Sequence, residues 1–431
     1  TIDKVTVSGN DRTHQHVILR ELRTLPGKKF SRSEIIRSQR EIINLGYFNP
    51  EALDIQTPVN PQRGTVDIEY KVEEKPSDQL ELSAGWGGRG RGVIGTLGVS
   101  FNNFSVRNIF NKSSWRPLPQ GDGQRLSLRA QTNGRFFQSY NASFTEPWLG
   151  GKKPTSFTLG GFHTRLTNGR SRSSSGFQSL AITNISVGLG TRLKFPDDFF
   201  VSNTTLSFQN IALNDWTFRR DFVLEDGTFL TNGSFNSISL NQTIARSSIS
   251  DPLFPTSGSK FSLAIQVTPP HSLFNNKDFR DIDPQEKFRW VEYHKWRFNA
   301  EWYTQVFGKF VVKAAAKIGM LGFYNEDIGS SPFERFVLGG DGLANQQTGL
   351  LGYDLISLRG YEIESLPNSQ DGGATVFDKF TVELRYPISL NPSSTIYVLL
   401  FAEGGNSWRS FRDFNPFDLR RSVGGGLRVF L

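Results

Sequence analysis

The sequence contains no cysteine in 431 residues. That absence excludes disulfides, thiolate catalysis and metal sites that depend on cysteine. It is compatible with an oxidising compartment such as the periplasm. A second absence concerns apolar runs, because no stretch approaches the ~18 residues that a membrane-spanning helix requires. Spanning by helices is therefore excluded.

Residue types that form conventional active sites are also scarce. No H-x-x-x-H or comparable ligand spacing occurs, and the abundant serines include no G-x-S-x-G elbow. We therefore predict no enzyme activity, no catalytic residue, no metal and no cofactor, with a hydrolase built from dispersed residues as the alternative. The five histidines are His14, His16, His163, His271 and His294.

What is abundant is glycine, with 42 residues, and phenylalanine, with 37, although hydrophobic residues make up only 37% and the mean hydropathy is −0.37. This combination is typical of a transmembrane β-barrel, in which lipid-facing residues alternate with polar residues and keep the average hydropathy low. The net charge is +8. Basic groups can line a lumen or meet anionic lipid headgroups, so we expect contact with membrane lipid and none with nucleic acid.

Residues 1–76 carry both strand and helix patterns. Alternation over Ile2–Val7 predicts a strand, and recurrence near a period of 3.6 predicts a helix that begins at Ser31 or Ser33 and ends at Gly46. The predicted order is β-α-α-β-β, a small α/β domain. Its other elements are expected at His16–Leu22, Leu53–Thr57 and Thr65–Val72.

After Pro76 strict alternation takes over. In Lys295–Tyr303, for example, the even positions are aromatic or small and the odd positions are polar. A soluble sandwich also alternates, but several of these strands reach about ten residues, which suits a tilted membrane strand. We predict an all-β antiparallel transmembrane barrel over 77–431, with about fourteen strands beginning near Gln79.

The longest predicted connection is Gly322–Thr375, which is too long to serve only as a link. It contains the tetrapeptide Leu358-Arg359-Gly360-Tyr361. In this context the sequence resembles the BamA family of outer-membrane assembly factors, within the superfamily of POTRA-plus-barrel proteins. Other similarities follow in family order: Phe144–Leu149, Asp251–Gly258, Glu383–Pro387, Phe401–Gly405 and Arg421–Gly426.

This resemblance implies that residues 1–76 are the POTRA domain next to the barrel. It also implies sixteen strands, so that about fourteen are present and the last two are missing from the sequence as given. The expected function is insertion of outer-membrane proteins in a Gram-negative bacterium, with the POTRA domain in the periplasm. Expected partners are unfolded client proteins, periplasmic chaperones, and the lipoproteins of an assembly complex.

The resemblance further implies a lateral gate at the first barrel strand, where client strands would pair by β-augmentation. Glycines weaken a strand interior, although relief of crowding at a bend would explain them equally well. The gate segment is Gln79, Leu80, Glu81, Leu82, Ser83, Ala84, Gly85, Trp86, Gly87 and Gly88.

For Arg359, the resemblance implies a position inside the barrel, paired with Glu383 and Glu403. Alternation agrees for Glu383, which shares a face with Thr381 and Arg385. A solvated loop arginine is the alternative. At the level of function, the alternatives are an exporter of the two-partner-secretion type, which passes unfolded substrate through the lumen, and a passive porin.

Overall fold

The computed structural model describes residues 1–86, 93–115, 118–151, 153–217, 222–224, 226–275, 277–341, 353–363, 365–366, 372–391 and 394–430. The chain divides into two compact units, Thr1–Phe162 and His163–Leu431. Within the described ranges, no helix has both the length and the apolar character needed to cross a bilayer.

The first unit begins with a small α/β domain, as predicted. Strand β1 pairs parallel with β4, and β4 pairs antiparallel with β2 and with the two-residue strand β3, which the sequence did not reveal. The elements are β1 (Ile2–Ser8), α1 (Gln15–Leu19), α2 (Arg32–Asn44), β2 (Asp54–Gln56), β3 (Val59–Asn60) and β4 (Thr65–Lys71).

Local chemistry explains where these helices begin and end. The hydroxyl of Ser31 accepts a hydrogen bond from the backbone N–H of Glu34 and caps α2. The chain leaves α2 through Gly46, whose φ of +77° suits glycine. Both helices pack their apolar faces on the sheet, and α1 is shorter than predicted. The core includes Val17, Ile18, Ile42, Ile68 and Tyr70.

Fourteen of the sixteen strands that follow in the described residues form one antiparallel sheet, which confirms the predicted fold and strand number; the other two, β16 and β17, pair with each other. The order of the fourteen-stranded sheet is β20-β19-β18-β15-β14-β13-β12-β11-β10-β9-β8-β7-β6-β5. The strands are β5 (Gln79–Trp86), β6 (Val93–Phe104), β7 (Gln124–Thr132), β8 (Phe137–Glu146), β9 (Thr155–Thr167), β10 (Ser179–Arg192), β11 (Phe200–Asn214), β12 (Gly233–Ser247), β13 (Gly258–Val267), β14 (His294–Phe307), β15 (Phe310–Gly322), β16 (Arg335–Leu338), β17 (Tyr353–Ile356), β18 (Val376–Asn391), β19 (Ser394–Trp408) and β20 (Arg420–Phe430), with a one-turn helix α3 (Pro284–Lys287) before β14.

Burial in this sheet is the reverse of that in a soluble protein. Val187, Leu206 and Leu240 are paired across β10, β11 and β12, and all three side chains are exposed. On β14, Trp302 is 65% exposed whereas Lys295 is 1% exposed. Such a sheet can satisfy both faces only if the apolar side meets lipid and the polar side is enclosed.

The predicted long connection Gly322–Thr375 is not a simple loop. It contains β16 and β17, which pair in parallel with each other outside the large sheet. All four residues of β16 are buried. The described residues of this segment therefore include a packed part, built around this pair of strands.

Candidate functional site

The tetrapeptide at positions 358–361 forms a tight, partly buried turn. Leu358 is fully buried and makes an isolated bridge with Gly340, whose N–H donates to the carbonyl of Tyr361. Gly360 has a φ of +89°, and a Cβ there would lie 3.2 Å from the side chain of Ser422. A side chain at 360 would therefore be strained, which explains the glycine.

Arg359 projects from this turn between its two predicted carboxylate partners. One guanidinium nitrogen donates to Glu383 at 3.0 Å and to Glu403 at 2.6 Å, and the backbone N–H of Arg359 donates to Glu403 at 3.0 Å. Both carboxylate side chains are only 2% exposed, compared with 21% for the arginine. Paired carboxylates on neighbouring strands β18 and β19 thus bind the loop through one side chain.

Additional cations surround the two carboxylates. Lys379 lies 3.0 Å from Glu403, and Arg385 donates to the other oxygen of Glu383. Lys379 and Arg385 alternate with Glu383 on one face of β18, so they occur at positions that the sequence already marked as polar. Arg428 of β20 lies 3.6 Å from Glu383. The sequence-based prediction did not include these three cations.

An aromatic ring completes the arginine's surroundings. The guanidinium carbon of Arg359 lies 3.5 Å from the ring centroid of Phe401 on β19. Phe401 faces Gly424 of β20, where a Cβ would come within 2.6 Å of the ring. The hydroxyl of Tyr361 donates to the carbonyl of Arg421, also on β20, at 3.0 Å. The turn therefore contacts three adjacent strands.

A second charged cluster joins the part of the loop around β16 and β17 to strand β14. Lys295 of β14 lies 2.8 Å from Glu334 and 3.2 Å from Asp354, the latter on β17. Arg297, two positions along the same face of β14, lies 3.2 Å from Asp354. The Lys295 ammonium is also 5.0 Å from the ring centroid of Phe336 on β16. Because glutamate and aspartate in a long loop give no pattern, the sequence did not identify this cluster.

The predicted gate segment corresponds to β5, as far as it is described. Gln79–Trp86 pairs with β6 along its whole length, and β5 stands at one end of the strand order. Leu80 and Leu82 are highly exposed, whereas a Cβ added at Gly85 would meet no atom within 4 Å. Crowding therefore does not explain this glycine. Gly87 and Gly88 lie outside the described residues.

Comparison with protein families gives two matches that together cover most of the chain. A model described as the Omp85 superfamily domain matches residues 120–431. A POTRA model, described as surface antigen variable number repeat, matches residues 1–75. The similarity that the ordered motifs predicted is thus confirmed.

Individual relatives agree with these models. The outer membrane protein assembly factor BamA of Neisseria meningitidis is 24% identical over 455 aligned positions, which cover 99% of this chain and 49% of the relative. A putative outer membrane protein assembly factor of Treponema pallidum is 29% identical over 168 residues, 39% of this chain and 18% of the relative. The chain thus spans about half the length of the first relative.

Solved structures share the fold. The crystal structure of BamA from Haemophilus ducreyi lacking POTRA domains 1–3 matches with a TM-score of 0.61 and 18% identity, over 99% of this chain and 77% of that one. CdiB from Escherichia coli matches with a TM-score of 0.57 and 14% identity, over all of this chain and 70% of that one. At these identities the likeness concerns the fold alone.

Proposed function

The chain belongs to the Omp85 superfamily, and from that premise we propose that it inserts β-barrel proteins into the outer membrane of a Gram-negative bacterium. In this proposal residues 1–76 form a periplasmic POTRA domain and residues 77–431 form the barrel. Its substrates are unfolded outer-membrane proteins, delivered by periplasmic chaperones and assembly lipoproteins. No step requires a nucleotide or cofactor, because client folding supplies the free energy.

The observation that carries the proposal is the combination of features in β5. This strand is at one end of the sheet order, it presents Leu80 and Leu82 to the outside, and Gly85 offers no side chain for packing. An unpaired backbone group at membrane depth costs on the order of several kcal/mol. A strand with a weakly held edge therefore favours pairing with any strand that can supply hydrogen bonds.

Arg359, Glu383, Glu403 and the cations around them, Lys379, Arg385 and Arg428, form the Arg359 cluster. In the proposal this cluster binds the loop to the polar face of the sheet. Burial of Glu383 and Glu403 is costly unless cations offset their charge, and Arg359 is the one cation that the loop supplies to them in the described structure. In the proposal the loop is bound to β18 and β19, next to the last described strand. A change in that binding alters the support of β20, the other end of the sheet order.

The alternative is an exporter that passes unfolded polypeptide through the lumen. The fold likeness to CdiB supports it at the level of architecture, whereas the sequence similarity over 99% of the chain supports the assembly factor. The two functions deliver a client to different places. An insertase leaves its client folded in the bilayer, and an exporter leaves it in the compartment beyond.

The test is client folding with vesicles that contain the full chain. An unfolded client barrel is added outside, and its folding is followed by tryptophan fluorescence and by protease resistance. We expect faster folding than with empty vesicles or with vesicles that contain a passive porin. The client should be recovered in the membrane fraction after alkaline extraction. A rate equal to that of both controls contradicts insertase function, and soluble client inside the vesicles indicates export.

A further inference from the structure

The first unit contains a group of ligand-type side chains that neither the Arg359 cluster nor β5 involves. His14 and His16 lie at the start of α1, and Asp122 lies in the connection between β6 and β7. Atoms of these three residues that could bind a metal ion lie within 4.8 Å of one another. The sequence did not predict the group, because Asp122 is far from the two histidines in the chain.

The distances within the group fit a single small cation. His14 Nδ1 lies 2.9 Å from Asp122 Oδ1, and His16 Nε2 lies 3.7 Å from the same oxygen. Ligand atoms held tetrahedrally at about 2.1 Å from a zinc ion lie roughly 3.4 Å apart. The two observed distances fall on either side of this value, and the two imidazole nitrogens lie within 4.8 Å of each other, so rotations of the half-exposed histidine side chains can bring the three ligand atoms to this spacing.

Neighbouring groups hold Asp122 and His14 in place. The hydroxyl of Ser105 donates to Asp122 Oδ2 at 2.6 Å, which leaves Oδ1 directed at the two imidazoles. The backbone N–H of His14 donates to the carbonyl of Gly121, and a Cβ at Gly121 would lie 3.0 Å from the His14 ring. Such hydrogen bonds to a ligating carboxylate are typical of metal sites, where they fix its orientation.

The charges and the solvent access are also suitable. Asp122 is 5% exposed and supplies the negative charge, whereas the histidine side chains are about half exposed and can be reached by an ion from solvent. Arg20 donates to the backbone carbonyl of Asp122 and not to its carboxylate, although Arg20 and Arg107 are nearby cations that oppose the binding of a positive ion. A cavity of about 350 Å³ adjoins His14 and has room for water molecules.

We propose that His14, His16 and Asp122 bind one divalent transition-metal cation of the zinc class. Two imidazoles and one carboxylate favour such an ion over Mg²⁺ or Ca²⁺, which prefer oxygen ligands. The bound ion joins the start of α1 to the β6–β7 connection, and so fixes the N-terminal domain on the first strands of the sheet. This inference does not depend on the proposed insertase function.

The experiment is calorimetric titration of the detergent-solubilised full chain, without a polyhistidine tag, with ZnCl₂. We expect one ion per chain, and a ligand-field spectrum of low coordination number when Co²⁺ replaces Zn²⁺. The double variant H14Q/H16Q and the single variant D122N should each lose at least tenfold in affinity. The control H163Q/H271Q/H294Q removes every other histidine and should bind as the parent does.

Circular dichroism of each variant establishes that it is folded before its affinity is compared. The proposal is wrong if the parent chain binds no stoichiometric Zn²⁺. It is equally wrong if folded H14Q/H16Q binds as tightly as the parent, or if binding disappears only in the control variant.

Discussion

Individual charges determine how the loop motif is held. In the Arg359 cluster two carboxylates, Glu383 and Glu403, meet four cations within 4 Å, from Arg359, Lys379, Arg385 and Arg428. Because cations from the sheet remain, loss of Arg359 does not leave the carboxylates without any counter-charge. It removes the contacts that attach the loop to the sheet, and the consequence should be local.

We expect Arg359→Ala to release the turn at 358–361 from β18 and β19. Hydrogen bonds to charged groups contribute about 1.5–3 kcal/mol each, so amide exchange at Leu358, Gly360 and Tyr361 should become at least tenfold faster. Arg359→Lys should restore only part of the protection, because an ammonium lacks the planar fork that binds two carboxylates and stacks on Phe401. Hydrogen–deuterium exchange with mass spectrometry measures both variants.

Arg280→Ala is the matched control for Arg359→Ala. Arg280 also pairs with a loop carboxylate, Asp327 at 3.3 Å, but its side chain is 72% exposed and such pairs contribute about 0–1 kcal/mol. Exchange in the turn should be unchanged by this substitution. Equal exchange in Arg359→Ala and the parent would show that the ion pairs do not hold the loop.

At this scale the family resemblance implied the pairing of Arg359 with Glu383 and Glu403. The sequence pattern agreed only for Glu383, which alternation along β18 places on the polar face. It could not indicate that Arg428 comes near Glu383, because that depends on the register of β18, β19 and β20. His14, His16 and Asp122 were missed for a similar reason: only the folded chain brings them together.

Among the elements, the described part of the loop between β15 and β18 is attached to the sheet by two separate clusters of ion pairs. The turn at 358–361 binds β18 and β19 through Arg359, whereas β17 and the residue before β16 bind β14 through Lys295. Lys295 is almost completely buried and is shared by Glu334 and Asp354. It is therefore the single residue on which the second attachment most depends.

We expect Lys295→Met to free β16 and β17 from β14. Removal of one partner from a buried ion pair costs about 3–5 kcal/mol, because the remaining carboxylates keep their desolvation cost. Amides of β16 and β17 should exchange faster, while those of β14 and β15 should not change. Lys309→Met, in the exposed turn between β14 and β15, is the control and should have no effect on either pair of strands.

Helices and strands were predicted well from the sequence where their two faces differ in polarity. Helix α2 has a serine cap, a period near 3.6 and a terminal glycine, and all three are visible in the chain. Strand β16 was missed because a four-residue strand that is buried on both faces shows no alternation, and β17 because four residues are too few to establish a pattern. The predicted limits of the two domains, 1–76 and 77–431, stay a prediction.

For the whole molecule, the central feature is a sheet with an apolar outer face and a polar inner face. Leu206 lies on the outer face of β11, between Val187 and Leu240, whereas its neighbour Ser207 points to the other side. The sequence predicted about fourteen strands because many of its segments repeat this contrast. Because the two faces differ in polarity, the same substitution should have different effects on the outer and the inner face.

We expect Leu206→Arg to destabilise the folded protein in lipid by about 2–4 kcal/mol, because a guanidinium would be placed among acyl chains. Ser207→Arg adds the same side chain to the opposite face and should cost much less. Urea unfolding in vesicles, followed by tryptophan fluorescence, compares the two free energies of unfolding. Equal losses would contradict the assignment of the two faces.

The central claim is that client strands pair with β5, and cysteine crosslinking tests it most directly. The chain has no cysteine, so single cysteines at Leu80, Leu82 or Ala84 can be paired with one cysteine in the last strand of a client. Controls are Leu206→Cys, exposed on an interior strand with neighbours on both sides, and Lys313→Cys on the polar face.

If client strands pair with β5, crosslinks should form at the β5 positions and change with the position of the client's cysteine, as a fixed strand register requires. Both controls should give little product. Crosslinking at Lys313→Cys equal to that along β5 would contradict pairing at β5, because the client would then be passing through the interior and not pairing at the edge.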